Sequence, residues 1–530
     1  MANRKVSEET KVLAAEYSGE VLTAFNRIPY ALLNAESDDE NTHDILTELK
    51  EIMKYYKEYY DGVDFTSEGT NGDYIPAKLN YRMTYSLINK EARFLFAEPP
   101  SIEVQASGIV GTPSEELQDQ IDDMQTMVDN ILDANNFEQQ LLKAAKDCFV
   151  GKRVAVMVNF NEVDGCVITF LPSTQFIYET RIGNQNILTK FVAFIITHDS
   201  MRMSSKRIFK KKFTLENDRV YLEEALYDGA GRLLEQVTDK VETQLDRIPA
   251  VVIVNDGLTG DYKGESEVNI LDDYEGWFSK LSNADIDAQR KSMNPIYWTM
   301  DLESASTKGL STSPGSHWDL GSDQNLDKPS PGVGILESNM NYSSALSTSL
   351  DRVKANAYED VDMPNVTLES MQGAITTGKA LKAIYWPLIV RCKEKMTTWG
   401  PKIRDMVSII IDGAILFPSC VDEYLANPLV SVSYEVHVEA NNPLPEDETE
   451  DKANDMAEVE SNLMSRKSYM KKWRGLTDDE VQQELEQIAL ERQILEDSSF
   501  SGNASGVPYP EVEEDEGDEF IEDDELVVEE

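Results

Sequence analysis

Between Glu265 and Ile411 the apolar residues change their spacing in an order that few folds allow. From Glu265 to Arg290 they recur at helical period, with Leu271, Tyr274, Phe278, Leu281 and Ala288 on one stripe. Residues 294–340 then lose all period and fill with Gly, Ser, Asp and Pro, including Pro295, Pro314, Pro329 and Pro331. The helical period returns with Leu346, Leu350, Val353 and Ala357. It stops at Asp362-Met-Pro364, because the residue before a proline is pushed out of the helical region. A short loop, Asn365 to Gly378, leads into a long apolar helix from Lys379 to Ile411, which Pro387 is expected to kink. The order is therefore helix, irregular insertion, helix, short loop, long helix.

The flanking sequence places this helical stretch in an α+β chain. Residues 1–60 read as helical, with Leu46, Leu49, Ile52, Met53 and Tyr56 at helical spacing. A loop from Gly62 to Asp73 precedes a second helix, Asn80 to Phe96, which Pro99-Pro100 ends. One further helix is expected between Glu115 and Lys146. Residues 153–255 are β-rich: Val154, Val156 and Val158 alternate with other residues, and Val167–Pro172, Phe191–Thr197 and Ala250–Val254 have strand character. Arg207 to Glu224, carrying Lys210, Lys211 and Lys212, reads as a solvated charged hairpin. A β-type stretch from Val430 to Val438 is followed by charged helices over 446–497, and Gly, Ser, Pro and acids dominate from Ser498 onward.

Charge narrows the function classes. Forty-nine basic residues face 97 acidic ones, a net of −48, and the last twenty residues alone hold thirteen acids and no base. Such a chain repels phosphates at long range, which argues against tight nucleic-acid binding. It does not argue against a protein that lets DNA slide without gripping it. No run of basic residues interleaved with aromatics is present to stack bases. No apolar run is long enough for a membrane span; the longest, Met406 to Phe417, is broken by Ser408, Asp412 and Gly413. Cys148, Cys166, Cys392 and Cys420 form no CxxC pair and read as reduced core thiols.

Enzyme signatures are missing from the sequence. His43, His198, His317 and His437 have no partners at metal-ligand spacing. There is no GxxxxGK[ST] loop, no GxSxG elbow and no HExxH motif. Gly257-Leu-Thr-Gly260 lacks the third glycine of a dinucleotide loop. Asp272-Asp273, Asp285 and Asp287 read as the solvated face of a helix, and Glu446–Asp451 as the acidic first turn of a helix after Pro445. The expectation is a protein that is not an enzyme and carries no cofactor and no metal.

Four segments resemble phage portal proteins, in particular the group from siphophages of Gram-positive hosts. Tyr55-Tyr-Lys-Glu-Tyr-Tyr-Asp-Gly62 with Lys78–Arg82 and Phe94–Pro100 is similar to the family's N-terminal signature. Ile248–Asn255 with Gly264–Glu267 and Leu271–Tyr274 looks like its entry into the first stem helix. Gly373–Lys382 looks like its segment after the tunnel loop, and Asn442–Glu450 with Leu463–Ser468 and Asp478–Glu480 like the start of its crown. The long acidic tail and the sequence of 294–340 depart from the pattern.

The resemblance implies a portal fold: a mixed α/β wing (1–263), stem helix one (264–293), a loop-rich clip (294–340), stem helix two (341–362), a tunnel loop (363–378), a long kinked wing helix (379–412), a crown (413–500) and an acidic tail (501–530). It implies a ring of twelve copies at one vertex of the virion capsid, assembled in the host cytoplasm, through which double-stranded DNA passes without sequence specificity. The implied partners are the chain itself, the terminase large subunit, the major capsid and scaffolding proteins and a head-completion or adaptor protein, with no membrane. Asn365, Val366, Thr367, Leu368, Glu369, Ser370, Met371 and Gln372 would face DNA, and Trp298, Asp301, Glu303, Trp318 and Asp319 would dock the motor. The alternative reading is another phage head structural or adaptor protein without a DNA channel.

Overall fold

Residues 28–36, 39–64, 76–108, 114–198, 206–258, 260–293, 296–302, 320–323, 327, 330–336, 341–365, 378–421, 432–441, 448–461, 463–474, 481–482 and 484–490 are described by a computed structural model. They belong to two units, Met1–Leu444 and Pro445–Glu530.

In the first unit, α1 (Tyr30–Glu36) and α2 (Asp39–Asp61) precede an extended stretch, 76–82, and α3 (Met83–Phe96). After β1 (Ser101–Ala106), two helices stand where one was expected: α4 (Glu115–Ala134) and α5 (Phe137–Gly151). Ser114 starts α4, its Oγ accepting the Leu117 N–H at 3.4 Å ahead of Glu115 and Glu116. Asn136 separates the two helices by turning left-handed at φ 49°, a conformation Asn tolerates. Asn135 secures the corner, donating from Nδ2 to the carbonyls of Ile131 (2.8 Å) and Cys166 (2.9 Å).

The β-rich region forms β2 (Arg153–Asn161), β3 (Gly165–Pro172), β4 (Phe176–Arg181), β5 (Asn184–His198), β6 (Lys206–Glu216), β7 (Arg219–Asp228), β8 (Leu233–Glu242) and β9 (Ala250–Val254). These pair antiparallel as a three-stranded sheet, β3-β2-β9, and a five-stranded meander, β4 to β8. The expected hairpin is β6–β7, closed by Asn217 and Asp218 at φ 51° and 58°, the signature of a type I′ turn. The period of two sorts each central strand between layers. Val154, Val156 and Val158 of β2 enter the main helical core, while Ala155 and Met157 face a core between the two sheets. On β5, Phe191 and Ala193 join that inter-sheet core, while Val192 and Phe194 meet Leu32, Leu33, Leu46 and Leu49 of α1 and α2.

Next come α6 (Glu267–Met293), β10 (Ile296–Met300), β11 (Gly332–Leu336), α7 (Ser343–Glu359), α8 (Gly378–Ile384) and α9 (Trp386–Leu416). β12 (Tyr434–Glu439) closes the unit by pairing antiparallel with β1. The expected helix over 379–411 is broken at Tyr385, and Pro387 sits in the first turn of α9 instead of kinking a continuous helix. A first-turn proline loses no helical hydrogen bond, because its N–H would have been an orphan there. Pro401 is the proline inside α9, a position the sequence reading passed over. The run Met406–Phe417 is a buried helical end: Met406, Val407, Ile409, Ile410, Ile411 and Ala414 all lie in the main core. Among the described residues no helix is long and apolar enough to cross a membrane. All four cysteines are buried and free, and burial pushes the thiol of Cys166 up to about 12.

The second unit contains α10 (Glu448–Glu460) and α11 (Arg466–Arg474). Met470 is its buried apolar anchor, with Val481. Lys472 Nζ pairs with Asp455 at 2.8 Å, and Trp473 Nε1 donates to the same carboxylate at 2.7 Å.

Candidate functional site

The feature on which the functional reading depends is the pair α6–α7 with what lies at its two ends. The helices pack against each other. The start of α6 and the end of α7 share one root: Val268 and Leu271 lie in the main core with Ala357, Val361 and Met363, and Tyr274 Oη donates to Asp360 Oδ2 at 2.6 Å. At the far end, Tyr342 hydrogen-bonds Asp285. The pair is therefore antiparallel, with Val361–Asn365 at its root.

The apolar stripe expected on α6 is only partly a core stripe. Leu271 is buried and Phe278 meets the Tyr81 ring edge-on at 5.3 Å, but the buried positions from Glu275 onward are Glu275, Ser279, Ser282 and Asn283. Of four polar residues spaced four apart, three hold the extended stretch before α3 by its backbone and the fourth, Glu275, holds Val63 and the first turn of α3. Asp287 Oδ1 accepts the Ala77 N–H (2.9 Å), Asn283 Oδ1 that of Leu79 (2.8 Å) and Ser279 Oγ that of Tyr81 (3.2 Å). Asn283 Nδ2 also donates to the Leu79 carbonyl at 2.8 Å. Glu275 accepts the Val63 N–H at Oε1 (2.9 Å) and the Thr84 N–H at Oε2 (2.8 Å). Thr84 lies in the first turn of α3, whose N–H groups have no helical acceptor, and Arg82 supplies no side-chain cap. The ladder works because four helical residues advance about 6 Å and two extended residues about 6.6 Å. Asp287, expected on a solvated face, is thus a backbone anchor.

A second polar group lies beneath the root. Glu91 of α3 and Glu267 of α6 are each 1% exposed and face Arg391 and Lys395 of α9. Arg391 Nε meets Glu91 Oε1 at 2.8 Å and its Nη2 meets Glu267 Oε2 at 2.6 Å, while Nη1 stands 3.9 Å from Asp362 just past α7. Lys395 Nζ meets Glu267 Oε1 at 2.6 Å and Asn255 Oδ1 at 3.1 Å, over the Phe149 ring. Two acids and two bases cancel, which burial requires. Burial alone would raise Glu267, but Lys395 and Arg391 outweigh it and hold its carboxyl low; burial and the charge of Glu267 push Glu91 up. Burial would lower Lys395, yet the two carboxylates hold its ammonium above the ordinary range.

The lysine run of the β6 hairpin corrects its solvated reading. Lys210 is 6% exposed and pairs with Glu36 of α1, which Lys212 also meets at 3.0 Å, and Lys211 pairs with Glu224 at 3.0 Å. Burial would raise Glu36, but the two lysines outweigh it and keep its carboxyl ionised.

The residues expected to dock partners divide as follows. Trp298 lies on β10, 42% exposed, and covers Gly334 across the β10–β11 pair; a Cβ at Gly334 would come within 2.4 Å of the indole. Met300, Val333 and Ile335 of the same ribbon are also exposed. Asp301 is a turn builder at φ 52°: its Oδ2 accepts the Ser330 N–H and its carbonyl the Asp323 N–H, both at 3.0 Å. Glu303, Trp318 and Asp319 lie outside the described residues. Of the expected tunnel-loop residues, Asn365 is exposed at the root, and Val366, Thr367, Leu368, Glu369, Ser370, Met371 and Gln372 lie outside the described residues. Sequence reasoning missed the ladder and the buried ion group. The series Glu275, Ser279, Asn283, Asp287 was visible, but its partners lie about two hundred positions away.

No group of three or more His, Cys, Asp or Glu able to hold a metal occurs among the described residues. What remains is an α+β body with an antiparallel helix pair and, between the two helices in the chain, the β10–β11 ribbon. Residues 36–497 match the family described as phage portal protein, SPP1 Gp6-like. The chain belongs to that family, which is one of structural proteins. No curated protein matched.

Proposed function

We propose that the chain is one subunit of a twelve-membered portal ring at a single capsid vertex. The ring passes double-stranded DNA during packaging and ejection and receives the terminase large subunit and head-completion proteins. The observation that carries this reading is the antiparallel α6–α7 pair, rooted in the body at one end, where the start of α6 and the end of α7 share the main core, with the β10–β11 ribbon lying between the two helices in the chain. In this reading residues 1–263 with 379–412 form the wing, 264–293 and 341–362 the stem, 294–340 the clip, 363–378 the tunnel loop, and 413–500 the crown. The exposed ribbon bearing Trp298 suits the docking of a partner, since exposed apolar surface on a small ribbon is a typical contact surface.

The electrostatics support a conduit. Tight phosphate contacts would act as brakes on moving DNA, and a wall of net negative charge supplies few of them. Residues 365–372 contain one acid and no base, so they touch a duplex sterically without trapping it. Electron microscopy of the purified chain tests the proposal: closed rings with a through-hole wide enough for a duplex are expected. A monodisperse monomer under every solution condition would overturn it.

A further inference from the structure

The outer face of α3 is basic in an acidic chain. Leu87, Ile88, Glu91, Ala92 and Leu95 take its buried side, which leaves Arg82, Tyr85, Lys90 and Arg93 outward. Lys146 of α5 lies beside them; its ammonium is held low by burial and then by the charge of Arg93. Lys90 Nζ donates to Tyr358 Oη at 3.2 Å, and Tyr85 and Tyr60, both beside Tyr59, expose 41% and 60% of their surfaces. Asp147, next to Lys146, accepts the Tyr56 hydroxyl at 3.0 Å. Arg82, Lys90, Arg93 and Lys146 make no ion pair among the described residues. Acids outnumber bases almost two to one in this chain, so four clustered cations without an ion pair among the described residues stand out, although the neighbouring Asp147 does act on Lys146.

The complementary surface is α4. Its buried side is Ile121, Met124, Val128, Ile131 and Leu132, and the helical repeat puts Glu115, Asp119, Asp122, Asp129 and Asp133 on one outward stripe. The helix contains no base. Asp122 and Asp129 accept only neighbouring glutamine amides, from Gln118 and Gln125, each at 2.8 Å, and no ion pair reaches the stripe among the described residues. Burial and then the charge of Asp133 raise the carboxyl of Asp129. The basic and acidic faces make no ion pair with each other within one chain.

We propose that the basic face of α3 receives the acidic stripe of α4 from the next copy of this chain. The inference deepens the ring reading and rests on it. Two different patches of one subunit make a head-to-tail contact, and such contacts close into rings when the rotation allows. Steering by opposite charges also sets the docking register while twelve acidic bodies otherwise repel. Tyrosine among the cations fits a protein partner, since aromatic residues concentrate at such interfaces.

The test uses the full chain and three variants, with circular dichroism and thermal unfolding as folding controls. The first variant carries Lys90→Glu, Arg93→Glu and Lys146→Glu; the second carries Asp119→Lys, Asp122→Lys and Asp129→Lys; the third combines all six. Subunit association, read by mass photometry and electron microscopy, should fall roughly tenfold or more in each triple variant and recover in the sixfold variant. Unchanged assembly in both folded triples would overturn the proposal. So would loss of binding to a fluorescent DNA duplex in the first variant with assembly intact, which would make duplex phosphate the partner. If the unaltered chain forms open head-to-tail chains instead of rings, the ring reading fails alone, and the same variants still decide the contact. If it stays monomeric throughout, both fail.

Discussion

At the scale of single residues, the sharpest constraint is Gly413. It sits inside α9, where glycine normally costs stability, but a Cβ there would lie 2.0 Å from the Phe160 ring. The sequence offered Gly413 only as an interruption of an apolar run. Its reason is a contact with a strand 253 positions earlier, which no local pattern reveals. Gly413→Ala should destabilise the first unit by about 1–3 kcal/mol, as overpacking does, and denaturant unfolding followed by near-ultraviolet dichroism would read it. Asp147 carries the clearest pH signal. Burial raises its carboxyl to about 6, against partial relief from Tyr56 and Lys146. A raised folded-state value means that the native state holds the proton more tightly than the unfolded chain. The associated stability is therefore full below about pH 4 and is lost as pH rises toward 6. Asp147→Asn should flatten that part of the stability–pH curve and leave the protein more stable at pH 7, on the order of 1–2 kcal/mol. A curve of unchanged slope would show that Asp147 does not titrate there.

Elements were legible where their period was long and clean, and illegible where a partner far along the chain decided them. The alternation of β2, the β6–β7 hairpin and the helices α6 and α7 could all be read directly. The division of α4 from α5 turned on one left-handed asparagine, and the break before α9 on where Pro387 falls in a helical turn. The α10–α11 hairpin shows a different organising force. α10 holds six acids and one base, and α11 five bases and no acid, with Met470 as the buried apolar side chain of α11. Opposite charge does much of what an apolar core does elsewhere, and exposed charge is screened within about 3 Å at 1 M salt. The second unit should therefore lose helical dichroism and hydrogen-exchange protection in 1 M NaCl while the first unit keeps its own. Equal protection at low and high salt would refute an electrostatic hairpin.

For the whole molecule, the buried group of Glu91, Glu267, Arg391 and Lys395 joins α3, α6, α9 and, through Asn255 and Asp362, the end of β9 and the end of α7. The root of the helix pair is thus tied to the body by charges that must remain balanced. Lys395→Met removes one positive charge and should cost about 3–5 kcal/mol, because Glu91 and Glu267 would then share a single guanidinium in a buried site. Calorimetry would show the loss as a lower transition temperature for the first unit. None of this group could be read in the sequence, where its members lie up to 304 positions apart and each looks like an ordinary surface charge. Family membership, by contrast, was legible, because it rests on short segments kept in order along the chain and not on distant contacts.

The ladder between α6 and residues 77–84 also makes chain length a matter of parity. Along the extended stretch, N–H groups alternate in direction, and only every second one reaches the helix. Inserting one residue between Ala77 and Tyr81 would turn the upstream donors away from their acceptors, whereas inserting two would carry them one helical turn along and present them again. Length variation here should therefore come in steps of two. A helix that reads an extended chain in this way measures spacing and is indifferent to the side chains of the chain it holds.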